Sequence, residues 1–208
     1  MRIEQVEALA VSIPLPQPVA DAVRRITHRD HVIVKVRAKD GPEGLGFALG
    51  YDGSRAMLAL IDEIFRPLLE GADAFATEHL WAEMYRQSIQ AGRRGAALRA
   101  ISAIDIALWD LRGKAAGLPV MELLGVHRKR MRCYATGGYY RAGQSVEELV
   151  REVQETAALG FSAVKLKVGA LSPAEDARRV GAVRRALGDD FDILLDANGG
   201  WKSAPEAI

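Results

Sequence analysis

Apolar and polar residues alternate in two different modes along this chain, and the mode changes near residue 130. Val6 to Ile13 alternates loosely and is expected to stop at Pro14 and Pro16. His31-Val32-Ile33-Val34-Lys35-Val36-Arg37 alternates cleanly and runs into the turn signal Lys39-Asp40-Gly41. A glycine-rich strand from Gly44 to Gly50 follows, so two or three antiparallel strands are expected. Helical spacing then takes over. Ala56 to Leu69 reads as a helix stopped by Gly71, and Thr77 can cap a helix running through Trp81 and Met84. Ala96 to Ala116 carries Ile101, Ile104, Ala107, Leu108 and Leu111 on one face before Gly117 and Pro119 end it. Met121 to Leu124 adds one more turn.

After about Arg130 one unit recurs three times: a short strand, a loop and a helix start. The strands are read at about Cys133–Thr136, Ala163–Val168 and Ile193–Ala197. The helix starts are Ser145-Val146-Glu147-Glu148, Ser172-Pro173-Ala174-Glu175 and Ser203-Ala204-Pro205-Glu206. A Ser with Glu three residues later is a capping box, in which each side chain satisfies a backbone donor. The repeat has the size of a βα unit, roughly 30 residues. Alternating β and α predicts a parallel sheet covered by helices, either a TIM barrel or an open doubly wound sheet. No glycine-rich phosphate fingerprint follows the first strand, which favours the barrel. Three units leave open sheet edges where a barrel closes, and Ile208 falls just after a fresh helix start, so the reading expects a truncated piece of a longer chain.

Composition changes little in this picture. The chain has 208 residues, 49% hydrophobic and 26% charged, with a net charge of +1. That balance offers no field for nucleic acid. The cluster Arg128, Lys129, Arg130 and Arg132 reads as a solvated loop leading into a strand. The one cysteine, Cys133, cannot form an internal disulfide, suits a reducing cytoplasm and reads as a structural strand residue. The N-terminus lacks a signal-peptide profile, and no apolar run approaches the roughly 20 residues of a membrane helix.

The chemistry concentrates at two strand ends. In Val164-Lys165-Leu166-Lys167-Val168 the two lysines share one face. Alone, the pentapeptide is a surface strand with wet lysines. In a parallel sheet both faces are buried, and the lysines would point into the barrel near the strand's C-terminal end. Burial and mutual repulsion then favour a neutral amine, which makes one lysine able to act as a general base. One strand later, Asp196 and Asn198 share the end of the buried run Ile193-Leu194-Leu195, with Gly199 and Gly200 behind them. Asp196 is either an ordinary strand-end carboxylate or a hard oxygen ligand suited to Mg²⁺.

Lys165-x-Lys167 followed by Asp196-x-Asn198 resembles the paired motifs of the mandelate racemase and muconate lactonizing branch of the enolase superfamily. Ser102-Ala103-Ile104-Asp105-Ile106-Ala107-Leu108-Trp109-Asp110, with Gly117-Leu118-Pro119 and Leu123-Leu124-Gly125, is similar to the helix leading into that family's barrel. The resemblance covers essentially the whole chain. It implies an α+β capping domain at residues 1–128, followed by the first three βα units of a modified TIM barrel at 129–208. It further implies that Lys167 removes the proton next to a substrate carboxylate and that Lys165 holds that carboxylate. Asp196 would be the first Mg²⁺ ligand, Asn198 would lie beside the substrate, and the ion would act as a Lewis acid.

Two capping segments, around Ala20–His28 and Gly50-Tyr51-Asp52-Gly53, should close over the substrate, with Arg24 and Tyr51 as the contacts expected. His28 and His31 read as surface or strand histidines. The family's later acidic ligands are absent from this sequence, so the chain by itself is expected to be inactive. The parent reaction is read as acid-sugar dehydration, with 2-hydroxy-acid racemisation or epimerisation and muconate-type cycloisomerisation as alternatives. A Schiff-base lysine enzyme and a non-catalytic assembly module are the readings from other classes. The partners expected are a small-molecule carboxylate and, at full length, further copies of the chain.

Overall fold

β1 (Ile3–Ala20), β2 (Arg25–Ala38) and β3 (Glu43–Leu49) form a three-stranded sheet in that order. The computed structural model describes residues 1–39 and 41–207. The Asp40 position of the expected turn lies outside the described residues. β2 and β3 pair antiparallel from His31↔Leu49 to Arg37↔Glu43. β1 does not stop at its prolines but runs through Pro14 and Pro16. It is an edge strand, where a residue without an N–H loses no ladder bond.

A helical run follows as α1 (Ser54–Leu60), a single π-type turn at Ile61–Phe65 and α2 (Arg66–Leu69). Then come α3 (Thr77–Gln87), α4 (Ala96–Ala116) and α5 (Val120–Leu123). Thr77 does not cap α3: it is the first helical residue, and its hydroxyl accepts from Arg112 at 2.7 Å. α4 has the predicted bounds and ends at Gly117 in the left-handed region, φ +65°. One face of the sheet packs on this helix. Val32, Val34 and Val36 are fully buried with Ile101, Ile104, Leu108 and Leu111. β3 can lie this close because it has no side chain at two inward positions. A Cβ on Gly44 would stand 1.9 Å from the Ala107 carbonyl oxygen, and one on Gly46 would stand 2.0 Å from that of Ala103. The opposite face keeps Ile33, Leu45, Phe47 and Leu49 exposed.

Beyond residue 130 the βα grammar holds. β4 (Ala135–Gly137), α6 (Val146–Ala158), β5 (Ala163–Lys167), α7 (Pro173–Leu187), β6 (Asp192–Asp196) and α8 (Ala204–Ala207) follow in turn. β4, β5 and β6 form a parallel sheet in chain order. Both complete capping boxes are present, Ser145 with Glu148 and Ser172 with Glu175. At α8 the pattern is looser: Glu206 accepts from the Ser203 hydroxyl at 3.3 Å and from the Lys202 N–H at 3.0 Å. The first strand starts later than read from the sequence. Cys133 precedes it and is exposed rather than built into the sheet. Val164 and Leu166 pack with Leu149 and Val153 of α6 and Val183 of α7 in a second apolar cluster.

The chain divides into two compact units. One comprises Met1–Ile13 with Arg29–Lys129, and the other Pro14–His28 with the residues from Arg130 on. The outer part of the β1–β2 hairpin is therefore grouped with the βα units. No helix among the described residues is long and apolar enough to cross a membrane.

Candidate functional site

The parallel strands end in a cluster of charge. Lys167 and Asp196 are direct partners in the β5–β6 register, each the last residue of its strand. Lys167 Nζ donates to Asp196 Oδ2 at 2.7 Å, and Lys165 Nζ lies 3.4 Å from the same oxygen. Lys165 and Lys167 share a face because side chains alternate along a strand. Val164 and Leu166, on the other face, are buried against the helices. The Lys167 side chain is only 6% exposed. The lysine hydrogen bond, then the Asn198 N–H bonded to Oδ1 at 2.9 Å, pull the Asp196 carboxyl down to a pKa of about 2.

Asn198 adopts the left-handed conformation, φ +49°, which Asn tolerates better than most residues, and Gly199 continues the turn at φ +76°. The Asn198 Oδ1 is buried and has no hydrogen-bond partner among the described residues. Two aromatic rings complete the lysine surroundings. Lys165 Nζ is 5.6 Å from the Tyr134 ring centre, and Lys167 Nζ is 5.3 Å from that of Tyr139. Such ring faces attract ammonium groups. The clue in the sequence was the tyrosines that flank the first barrel-type strand, Tyr134 before it and Tyr139 after it.

A buried polar network lies behind the lysines. Asp176 and Arg179 are one helical turn apart on α7 and pair at 2.9 Å. The Tyr140 hydroxyl donates to Asp176 at 2.8 Å and accepts from the Ala170 N–H at 3.2 Å. Burial first, and then the Asp176 hydrogen bond, push the Tyr140 phenol up to about 12. None of these three residues was singled out as functional from the sequence. For Asp176 and Arg179 the only signal was the Asp-x-x-Arg spacing, which places both on one helix face.

The Pro14–His28 segment belongs to the same unit. Ala20 and Tyr140 exchange backbone hydrogen bonds of 2.8 and 2.9 Å. Ala22 lies against Gly169 and Gly200, the loops after β5 and β6. Arg24 is held by Asp21, at 2.8 Å. Burial works to raise the Asp21 carboxyl, but bonds from the Val23 N–H and Arg24 outweigh it and keep it below the ordinary range. Tyr51 belongs to the first unit. It has φ +46°, strained for a side chain of its size, and the Arg99 guanidinium lies over its ring at 4.7 Å. The structure thus brings Lys165, Lys167, Asp196 and Asn198 together at one place.

The donor set fits part of a magnesium shell. Asp196 offers a hard carboxylate, the ligand chemistry Mg²⁺ prefers. Among the described residues no group of three or more His, Cys, Asp and Glu side chains could hold a metal ion, so Asp196 supplies only one edge of such a shell.

The chain is similar to known proteins along most of its length. Residues 4–125 match the mandelate racemase/muconate lactonizing enzyme N-terminal domain, and residues 148–208 match the enolase C-terminal domain-like family. An arabinonate dehydratase of Saccharolobus solfataricus is 40% identical over 80% of this chain and 45% of its own length. A D-galactarolactone cycloisomerase of Agrobacterium fabrum is 38% identical over 100% of this chain and 54% of its own. The crystal structure of L-talarate/galactarate dehydratase from Salmonella typhimurium, liganded with Mg and L-lyxarohydroxamate, superposes with a TM-score of 0.89. Its sequence is 38% identical, and the match covers 97% of this chain and 53% of that one. The chain spans about half the length of the relatives it matches. It belongs to the mandelate racemase/muconate lactonizing enzyme family of the enolase superfamily.

Proposed function

We propose that this chain supplies the lysine base and one carboxylate ligand of a magnesium-dependent enzyme that removes the proton α to the carboxylate of an acid sugar, with loss of water as the outcome. The observation that carries this reading is the Lys167–Asp196 contact of 2.7 Å at paired strand ends, with Lys165 on the same carboxylate oxygen. In parallel α/β architectures ligands bind where strands end and loops begin. Lys167 Nζ is the group that would take the proton. Lys165, less buried, would hold the substrate carboxylate, and Asn198 would offer its free amide oxygen to a substrate hydroxyl. Magnesium, held in part by Asp196, would supply Lewis-acid stabilisation of charge on the carboxylate. Tyr134 and Tyr139 would keep bulk water from the lysines. Arg24 and Tyr51 would border the substrate from the capping segments, and the functional boundary would fall between 128 and 129.

Dehydration is favoured because both the arabinonate and the talarate/galactarate relatives are named for it. Cycloisomerisation is the second reading, supported by the galactarolactone relative. The enzyme is read as a cytoplasmic homo-oligomer, and the 208-residue chain alone as inactive.

The test is incorporation of solvent deuterium α to the carboxylate of aldonates and aldarates by the full-length protein. Magnesium-dependent exchange, lost by at least a hundredfold in Lys167→Met, is expected, since a positioned base contributes about 10²–10⁴-fold. Activity that survives EDTA, with substrate trapped by borohydride, would instead establish a Schiff-base lysine.

A further inference from the structure

The β4–β5 ladder ends at Gly137↔Leu166. Just beyond it, two carbonyls receive bonds from one side chain. Arg179 donates to the Lys167 oxygen through Nη1 at 3.1 Å and to the Gly138 oxygen through Nη2 at 3.0 Å. The guanidinium reaches these strand ends from α7 and closes the gap between them. Buried carbonyls need such a partner, and a planar fork can serve two at fixed spacing where an ammonium cannot. Arg179 is itself held on two sides. Asp176 pairs with it at 2.9 Å, and the Tyr140 ring lies 4.1 Å from its central carbon. Asp176 also accepts the Gly169 N–H at 2.7 Å, so the loop leaving β5 is fixed by the same network.

We propose that Arg179 is a positioning residue for Lys167, acting through the lysine's own backbone carbonyl, with Asp176 and Tyr140 holding the guanidinium in place. Lys167 has a ladder on one side only, because the pairing with β4 stops one residue earlier, at Leu166. Here β6 supplies that side through Val168 N–H to Asp196 O at 3.2 Å, and Arg179 supplies the other. With both carbonyl and amide neighbours fixed, the direction of the Lys167 side chain is fixed too. Displacement of a reacting group by about 1 Å can cost on the order of a hundredfold in rate. The inference rests on Lys167 being the base of the reaction proposed above.

The experiment uses the full-length protein and two readouts. The first needs no substrate: trace labelling of lysine amines with acetic anhydride, with Lys167 read by mass spectrometry against Lys35 in the same sample. Arg179→Met should raise the Lys167 to Lys35 labelling ratio at least fivefold, and Arg179→Lys should recover part of the protection. The second is steady-state kinetics on a panel of aldonates and aldarates. Here kcat should fall at least tenfold in Arg179→Met, while KM stays within about twofold, because no substrate contact is removed. Should Arg179→Met not fold, Asp176→Asn keeps the shape and loosens the guanidinium, and a twofold rise in the labelling ratio is expected. A folded variant with an unchanged ratio, or with kcat equal to that of the unaltered enzyme, would overturn the proposal. If the unaltered enzyme exchanges no acid sugar at all, the proposed function fails, and the labelling ratio alone then decides the role of Arg179.

Discussion

Two Arg–carboxylate pairs in this protein have the same length, 2.9 Å, and opposite surroundings. Arg37 and Glu43 face each other across β2 and β3 with side chains 39% and 42% exposed. Arg179 and Asp176 lie one turn apart on α7 with side chains 10% and 7% exposed. The lysines repeat the contrast. Lys35 sits on the wet face of β2, 3.7–3.8 Å from Glu7 and Glu43. Lys167 is buried and bonded at 2.7 Å. Both strands alternate apolar and basic residues in the same way. Alternation therefore tells which residues share a face, and the layer behind that face decides what a charge on it does. An exposed pair exchanges one solvated state for another, whereas a buried pair removed by halves leaves a charge with no water to turn to.

The contrast can be broken most sharply at the arginines. Arg179→Met should destabilise the second unit by about 3–5 kcal/mol, the cost of leaving a buried carboxylate without its partner, as measured by urea unfolding. Arg37→Met should leave the unfolding midpoint within experimental error. Equal losses in the two variants would sink the comparison. Next in size is Gly46→Ala. A new Cβ 2.0 Å from the Ala103 oxygen has to push β3 off α4, at about 1–3 kcal/mol or more. That loss would show that the first unit depends on close packing where the second depends on polar satisfaction.

A smaller effect involves Tyr140. Its phenol is held neutral to about 12 in the fold against 10.0 when unfolded. A group whose folded value is raised stabilises fully below its unfolded value and loses that contribution as pH rises. Stability should therefore fall between pH 10 and about 12, and Tyr140→Phe should lack that component of the fall. Smallest is a shift without loss of fold. Lys167→Met should move the Asp196 carboxyl up from about 2 toward the ordinary carboxylate range, read by carbon NMR titration. A carboxyl that stays near 2 would mean that the Asn198 N–H and Lys165 hold it by themselves.

Much of this was legible in the residues. The bounds of α4 followed from apolar spacing and Gly117, and the first two capping boxes from Ser-x-x-Glu. The grouping of Lys165, Lys167, Asp196 and Asn198 followed from parity along two short strands. The misses have physical reasons. Pro14 and Pro16 looked like stops because the edge position of β1 is a tertiary fact that no local pattern carries. Thr77 looked like a cap because its competing partner, Arg112, lies far along the chain. Asp176 and Arg179 drew no reading from the sequence because their partners are backbone carbonyls and a phenol, which leave no imprint on hydrophobic spacing.

The contact between Ala22 and Gly200 bears on how the sequence can drift. A Cβ at residue 200 would stand 2.4 Å from the Ala22 methyl and 2.8 Å from the Gly169 oxygen. In a pairwise mutational library, substitutions at 200 should be purged in the Ala22 background and partly tolerated with Gly at 22. Two positions at opposite ends of the chain would then register as one epistatic pair, and descendants that altered the loop after β6 would first have to shorten the residue that lies over it.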